Sequence, residues 1–410
     1  MLEKWLVEKT PVYFEQTNSL PMVDVQINFR AGSIFDGDKI GLADLAVGIF
    51  ATETKLSSEE ELINKITDLG ASINSNANKE LFCIKIRMLN DADIVAKTIE
   101  ILKEIFSQPS FSENILEREK AQTITHISYM QQQPNYLASL EFSKRLFKDN
   151  PYAQPTTGYK ETVENITTSD ITDFYDKYIV AENANVCIVG DISKEKANSF
   201  IKERISALPN GQKNEQTFSQ SSPKKETVKK PFNSTQTCIL MGHQLLEEID
   251  SPLYFPLKVG NEILGGGGLN SKLFNKVREE LGLVYNVGSS LNISPDYGSF
   301  IISAQTSNPE LALKTINEVY EDFINSDIDN DTLQNTKNHI EGTHLLGSVK
   351  NSSKLSMLST IANKNLPLDF FESYVANVNK VDSLAIKSAF KEVQKNAMVT
   401  VMVGDIGEDK

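Results

Sequence analysis

Cysteine is scarce in this chain, with 3 among 410 residues, and the three lie far apart. An odd number of widely spaced cysteines is not the disulfide framework of a small secreted domain. Cys83 and Cys187 stand in the apolar runs LFCIKI and NVCIVG. We therefore interpret them as small core residues rather than as metal ligands or redox groups.

Long apolar runs and an excess of positive charge are also missing. A membrane-spanning helix needs about 18 consecutive apolar residues, whereas the longest run here, near residues 397–403, is only as long as a strand. Lys and Arg number 41 against 55 Asp and Glu, a net charge of -14. The sequence therefore predicts no bilayer span, and its acidity argues against a nucleic-acid partner, which needs basic clusters.

The remaining composition, 40% hydrophobic and 23% charged, is typical of a folded globular protein. At roughly 150 residues per domain, the length predicts two or three domains. Residues 209–231 contain one Phe and one Val among polar residues and have Pro at both ends. We expect this segment to be a linker between domains at residues 1–208 and 232–410.

The same motifs occur on both sides of that segment. The Val-Gly-Asp that ends at Asp191 recurs with its end at Asp405. The run KTIEILKEIF from Lys97 is similar to KTINEVYEDF from Lys314. The separation along the chain is nearly the same for both pairs, and two matches at nearly equal offsets predict two homologous halves in tandem.

Each half mixes strand and helix patterns. Apolar and polar residues alternate from Val23 to Phe29, which is typical of an antiparallel strand with one solvent-exposed face. Ser58 and Glu61 have capping-box spacing at the start of a helix that Gly70 ends. Further helices are predicted at residues 93–106, 112–133 with Pro134 as terminator, and 170–178. We therefore predict an α+β fold of two homologous α/β-sandwich halves, each a mixed, mostly antiparallel sheet with helices on one side.

Several segments carry a resemblance to a known family. They are AGS at residues 31–33 leading into GLADLAVGIF, LGASINS from Leu69, NPYAQPTTG from Asn150, and GGGGLNSKLFNKVREELGLVYNVGSS in the second half. Together they resemble the insulinase-like, or pitrilysin, zinc metallopeptidases (inverzincins), which include the mitochondrial processing peptidase. The resemblance covers nearly the whole chain and implies a clam-shell arrangement of the two halves.

Active members of that family carry H-x-x-E-H on the first helix, where the two His bind Zn²⁺ and the Glu is the general base. The resemblance matches that motif to DLAVG, which places Asp44 and Gly48 at the metal positions and Val47 at the base position. The family's third ligand, a Glu, falls near Thr125 and His126, where there is no carboxylate. The resemblance thus implies a chain that binds no metal of its own and brings only Asp44 and His126 together.

Four consecutive glycines, Gly265, Gly266, Gly267 and Gly268, stand in the second half. No Lys-Ser/Thr follows at the spacing of a phosphate-binding loop. Such a backbone is free to approach an extended peptide or to move as a flap, and the resemblance implies substrate contact in this region. A plain turn is the alternative interpretation.

Arg278 and Tyr285 stand seven residues apart in REELGLVY. Family members carry an Arg and a Tyr at this spacing, which hold substrate carbonyls and stabilise the tetrahedral oxyanion. A guanidinium offers a rigid fork of donors, and a phenol donates to an oxyanion without titrating near neutral pH. The alternative is a surface Arg on a charged helix and a Tyr packed in a strand.

The first functional hypothesis is a catalytically silent subunit of a heterodimeric zinc metallopeptidase. A homologous partner would supply Zn²⁺ and the base, and this chain would supply Arg278, Tyr285 and peptide-binding walls. The alternative is a structural or binding protein that keeps the fold without the chemistry. The N-terminal residues lack the apolar run of a secretory signal. Because bacterial relatives of this size are often exported, we expect a periplasmic chain with its leader removed rather than a cytoplasmic one.

Overall fold

The structure, a computed structural model, describes residues 2–205, 208–294 and 297–406. The chain forms two compact units. Unit 1 consists of Met1–Ser128, Gln154–Thr217 and Gly347–Phe371, and unit 2 consists of Tyr129–Ala153, Phe218–Leu346 and Glu372–Lys410. Each unit therefore contains one short segment from the opposite half of the sequence repeat.

Each unit is built on one β-sheet. Sheet 1 has the strand order β1-β2-β6-β3-β5-β4 and sheet 2 the order β7-β11-β8-β10-β9. The strands are β1 (Leu2–Val7), β2 (Thr10–Gln16), β3 (Met22–Phe29), β4 (Ser72–Ala77), β5 (Phe82–Leu89), β6 (Ala184–Gly190), β7 (Glu226–Pro231), β8 (Thr237–Leu245), β9 (Asn286–Asn292), β10 (Gly298–Thr306) and β11 (Met398–Gly404). The β2–β6 and β7–β11 pairs are parallel, and the other neighbouring strands are antiparallel.

Helices surround both sheets. The α-helices are α1 (Leu42–Ile49), α2 (Glu59–Asp68), α3 (Ala92–Ser107), α4 (Glu113–Met130), α5 (Pro134–Leu146), α6 (Lys160–Glu164), α7 (Thr168–Tyr178), α8 (Lys194–Ile205), α9 (Tyr254–Asn261), α10 (Pro309–Asn325), α11 (Asn330–Gly347), α12 (Asn351–Lys364), α13 (Tyr374–Asn379) and α14 (Ser383–Gln394). Two π-helical segments, Glu262–Gly266 and Phe274–Glu280, lie in unit 2. In the described part of the chain, no helix has both the length and the apolar content needed to cross a bilayer.

Sheet 2 repeats sheet 1 strand by strand. If β2, β6, β3, β5 and β4 are matched to β7, β11, β8, β10 and β9, the two orders are identical apart from β1. Two matched helices, α4 and α11, each carry one buried lysine at the same place. Lys120 Nζ donates to the carbonyl of Glu164 at 3.3 Å, and Lys337 Nζ donates to the carbonyl of Asn379 at 3.0 Å. The prediction of two homologous α+β halves is confirmed.

Helix ends follow the local signals that the sequence shows. The backbone N–H of Ser58 donates to Glu61 Oε2 at 2.9 Å, the backbone N–H of Glu61 donates to Ser58 Oγ at 3.4 Å, and the predicted capping box is confirmed. Gly70 follows α2 with a φ of 60°, a left-handed conformation that favours glycine. Pro134 has a different role from the one predicted. It begins α5, because α4 has already ended at Met130 and proline suits a first helical turn.

The polar face of β3 is not solvent-exposed, and the prediction of a wet face was wrong. Asp24, Gln26 and Asn28 are as buried as the apolar residues between them. The reason is α12, which packs across β2, β3 and β6 on that face. In unit 2, α5 packs across β8 and β11 in the same manner. Each sheet therefore carries helices on both faces, where the sequence predicted them on one.

The segment predicted as a linker is partly a strand. Its last six residues form β7, which pairs in parallel with β11 along the edge of sheet 2. The preceding residues are irregular but hydrogen-bonded to the folded units. Arg30 Nη2 donates to the carbonyl of Gln216 at 2.7 Å, and Asn150 Nδ2 donates to the carbonyl of Ser219 at 2.7 Å.

Candidate functional site

The helix that the resemblance assigns to metal binding is α1, and its start is fixed by a buried carboxylate. Asp36 accepts hydrogen bonds from the backbone N–H groups of Gly41 at 2.9 Å and Ala43 at 3.0 Å. A carboxylate at this end also complements the helix dipole. Burial raises the pKa of Asp36 to about 7 although these hydrogen bonds oppose the rise. The position of α1 in unit 1 is therefore well defined.

Asp44, Val47 and Gly48 lie on that helix, and one of them has an ionisable neighbour. Burial raises the pKa of Asp44, and the charge of His126 on α4 counteracts this rise. The carbonyl of Val47 accepts a hydrogen bond from Ser75 Oγ on β4 at 3.1 Å, while its side chain has no group that accepts a proton from water.

Glu119 is a residue near this helix that the sequence reasoning missed. A Cβ atom placed on Gly48 would lie 3.0 Å from Glu119 Oε2, so this carboxylate lies against the helix where it has no side chain. Glu119 also accepts a hydrogen bond from Arg118 at 3.1 Å. The signal was available, because Glu119 precedes His126 by seven residues and two helical turns place both on one face of α4.

These residues do not fit the zinc that the family implies. A catalytic zinc site needs about three protein ligands and an open position. Val47 and Gly48 supply neither a base nor a ligand. Among residues 2–205, 208–294 and 297–406, no group of three or more His, Cys, Asp or Glu side chains is arranged to hold a metal ion. We therefore derive no zinc chemistry from this chain.

The four glycines form a packed helical segment rather than an open loop. Gly265 is buried in the π-helix that continues α9, and a Cβ there would lie 2.5 Å from the backbone nitrogen of Ser289 on β9. Added Cβ atoms on Gly266 and Gly267 would likewise crowd Asn261 and Glu262. Only Gly268 has a left-handed φ, 61°, with open space around it. Close packing accounts for the first three glycines, and substrate contact stays a prediction.

Arg278 and Tyr285 flank the turn between the second π-helix and β9. The Arg278 guanidinium lies 4.7 Å from the centre of the Phe274 ring, and no carboxylate pairs with it among the described residues. The Tyr285 side chain is 70% exposed, so the alternative of a tyrosine packed against the sheet is wrong. Its backbone N–H donates to the carbonyl of Gln305 at 2.8 Å, which holds the start of β9 in place.

Two family models match consecutive segments of the chain. Residues 12–160 match the insulinase family (peptidase family M16), and residues 165–340 match the peptidase M16 inactive domain. The chain belongs to peptidase family M16.

The M16 relatives of this chain include proteins named as inactive. A non-peptidase homolog, YmxG, from Helicobacter pylori is 25% identical over 98% of this chain and 93% of its own length. An uncharacterized zinc protease, YmxG, from Bacillus subtilis is 24% identical over 95% of both chains. A crystal structure of a peptidase M16 inactive domain from Pseudomonas fluorescens has a TM-score of 0.94 and 28% identity, covering 100% of this chain and 99% of its own.

Proposed function

We propose that this M16 chain is the zinc-free subunit of a two-chain metallopeptidase. A homologous partner with an intact H-x-x-E-H motif supplies Zn²⁺ and the general base. This chain supplies peptide-binding surface and, through Arg278 and Tyr285, donors to the substrate carbonyl and the oxyanion. The observation that carries the proposal is the contrast between the halves: the first is without the metal residues, while the second has an exposed Tyr and an Arg with no carboxylate partner in the described ranges.

The geometry around the pair supports this role. Phe274 holds the guanidinium of Arg278 by cation–π contact, which orients a donor fork without neutralising it. The bond between the backbone of Tyr285 and Gln305 fixes the base of an exposed phenol. A donor that is held in place and still available to a ligand is the arrangement that stabilises a developing oxyanion.

The test is reconstitution with the zinc-bearing M16 chain of the same organism. Removal of one oxyanion donor costs about 100-fold to 1000-fold in kcat, and we expect this loss for Tyr285→Phe with assembly and zinc content unchanged. Arg278→Ala should mainly raise KM, because a guanidinium on a ground-state carbonyl contributes uniform binding. Tyr129→Phe is the matched control, since Tyr129 is also exposed, at 61%.

A structural or binding protein is the second candidate function. The Helicobacter pylori relative, whose name describes a non-peptidase homolog, supports it. If the reconstituted pair keeps its kcat and KM in both variants, or if this chain alone binds one zinc ion tightly and cleaves peptides, the two-chain proposal is wrong. The first of these outcomes favours the scaffold.

A further inference from the structure

The sequence halves exchange one equivalent helix. α5 and α12 follow α4 and α11, and they begin at Pro134 and Asn351, the same offset that separates Lys97 from Lys314. α12 belongs to the second half but packs on sheet 1, and α5 belongs to the first half but packs on sheet 2. Each sheet therefore has one face covered by a helix from the other half of the chain, and we call this face the outer face.

Part of the contact between α12 and sheet 1 is apolar. A cluster of buried side chains joins the helix to β2 and β6; its members are Leu355, Leu358, Ile361, Tyr13, Cys187 and Val189. Ion pairs lie toward both ends of the helix. Lys354 pairs with Glu15, and Lys364 pairs with Glu80 at 3.3 Å. Apolar packing gives this contact affinity, and the charges favour one position of the helix.

The centre of the contact is a buried polar network. Gln26 Nε2 donates to Ser359 Oγ at 2.9 Å and to Asn28 Oδ1 at 2.6 Å. Asn28 Nδ2 donates to Asn185 Oδ1 at 2.8 Å, and Asn185 Nδ2 donates to Asn363 Oδ1 at 2.8 Å. Buried polar groups without partners are costly, so this surface accepts a helix with matching polar groups.

The equivalent helix α5 has apolar residues at those places. When the two helices are aligned from their first residues, Ser359 corresponds to Phe142 and Asn363 to Leu146, and both of these α5 residues are buried. The outer face of sheet 2 is apolar as well. By strand register, Leu240 and Gly242 take the places of Gln26 and Asn28, and Val399 takes the place of Asn185. The residues of α12 therefore fit sheet 1 and those of α5 fit sheet 2, and neither helix fits the other sheet.

We propose that the match of polar with polar and of apolar with apolar residues determines which sheet each exchanged helix covers. We also propose that the exchange binds the two halves of the chain to each other without the peptide link. The outer face of sheet 1 is thus a specific docking surface for a helix of the composition of α12. The irregular residues before β7 connect the halves covalently, and the bound state does not depend on them.

The first experiment cuts the link in the folded, full-length chain. A protease site is inserted between Thr217 and Phe218, and the chain is cleaved after purification. We expect the two fragments to elute together at the mass of the uncut chain, because α5 and α12 still cover the opposite sheets. Fragments that separate at micromolar concentration would overturn the proposal.

The second experiment tests the sorting. Ser359→Phe with Asn363→Leu gives α12 the residues of α5 at these two positions. The change removes one of the two acceptors of Gln26 Nε2 and leaves Asn185 Nδ2 without its acceptor. One orphaned buried polar group should raise the Kd between the cut fragments by about 5-fold to 150-fold. Ser356→Leu is the matched control, since Ser356 also lies on α12 but is exposed. Asn363→Ala, a milder change, provides the same measurement if the double variant does not fold. Equal Kd values for all variants would show that the network does not sort the helices.

Discussion

Sheet 2 has His243 where sheet 1 has Phe29. Phe29 is paired with Phe82 on one side and Ala184 on the other, and His243 is paired with Phe300 and Met398 at the matching places. His243 is 1% exposed. Its Nδ1 lies 2.9 Å from the carbonyl of Asn396, whereas its Nε2 has no partner. One fold therefore tolerates either residue, but at this strand position only the second half buries an ionisable side chain.

The two halves also differ at their first helices, which are α1 in unit 1 and α9 in unit 2. In unit 1, an added Cβ on Gly48 would meet only the end of the flexible Glu119 side chain. In unit 2, the helix continues into a π-helix whose Gly265 lies against the backbone of β9. A side chain at Gly48 therefore has a neighbour that can move aside, and a side chain at Gly265 does not.

The largest expected effect of a substitution is at Gly265. Gly265→Ala places a Cβ 2.5 Å from the backbone nitrogen of Ser289, and backbone cannot move aside as a side chain can. We expect a loss of about 3 kcal/mol in the stability of unit 2, measured by hydrogen exchange of the sheet 2 amides. Gly48→Ala is the matched control. It should be neutral or should stabilise α1 by up to about 1 kcal/mol, because Glu119 can shift. Equal losses in both variants would remove the contrast between the two helices.

The equivalent lysines Lys120 and Lys337 test a feature that the two halves share. Lys120→Met and Lys337→Met each leave a carbonyl without its donor at the end of the following short helix. We expect each to cost about 1–3 kcal/mol, confined to unit 1 for the first and unit 2 for the second. Because a chain of two units need not unfold in one step, unit-resolved hydrogen exchange is the measurement. Lys391→Met, at an exposed position on α14, should have no effect. A large loss in one half alone would mean that the two lysines are not equivalent.

Substitution of His243 should have the smallest effect on stability at neutral pH. Burial lowers the pKa of His243, although its bond to Asn396 opposes the shift; Glu321 and Lys225 are the charged neighbours. The unfolded chain, with a histidine pKa near about 6.5, takes up the proton first, so unit 2 should lose stability as the pH falls below that value. His243→Phe copies Phe29 and should abolish this loss. The melting temperature of unit 2 between about pH 5 and pH 8 measures it, with the exposed His339→Gln as control. A variant that is as acid-sensitive as the wild type would show that His243 is not the cause.

Local patterns were enough to predict much of each half. The capping box at Ser58 and the alternation along β3 depend on neighbours in sequence, and both elements form as predicted. The buried state of the polar face of β3 depends on Ser359, which is 333 residues from Gln26. No pattern within a half indicates that a helix arrives from the other half.

The candidate site also has features that the sequence indicated and features that depend on residues far away in the chain. The resemblance named Asp44 and His126 as a pair, and the charge of His126 counteracts the rise in the pKa of Asp44. The packed state of Gly265 was not predictable from four glycines in a row, because it depends on Ser289 across the sheet. β7 was missed because its strand conformation comes from pairing with β11, at the other end of the second half.

The late position of α12 has a consequence for synthesis on the ribosome. All six strands of sheet 1 have been made when β6 ends at Gly190, but α12 ends only at Lys364. Because synthesis proceeds at about 5–20 residues per second, the outer face of sheet 1 stays uncovered for on the order of ten to thirty seconds. During that interval the nascent chain presents Tyr13, Cys187 and Val189 to water, together with amides that lack partners. The first half therefore obtains its covering helix only after most of the second half has been translated.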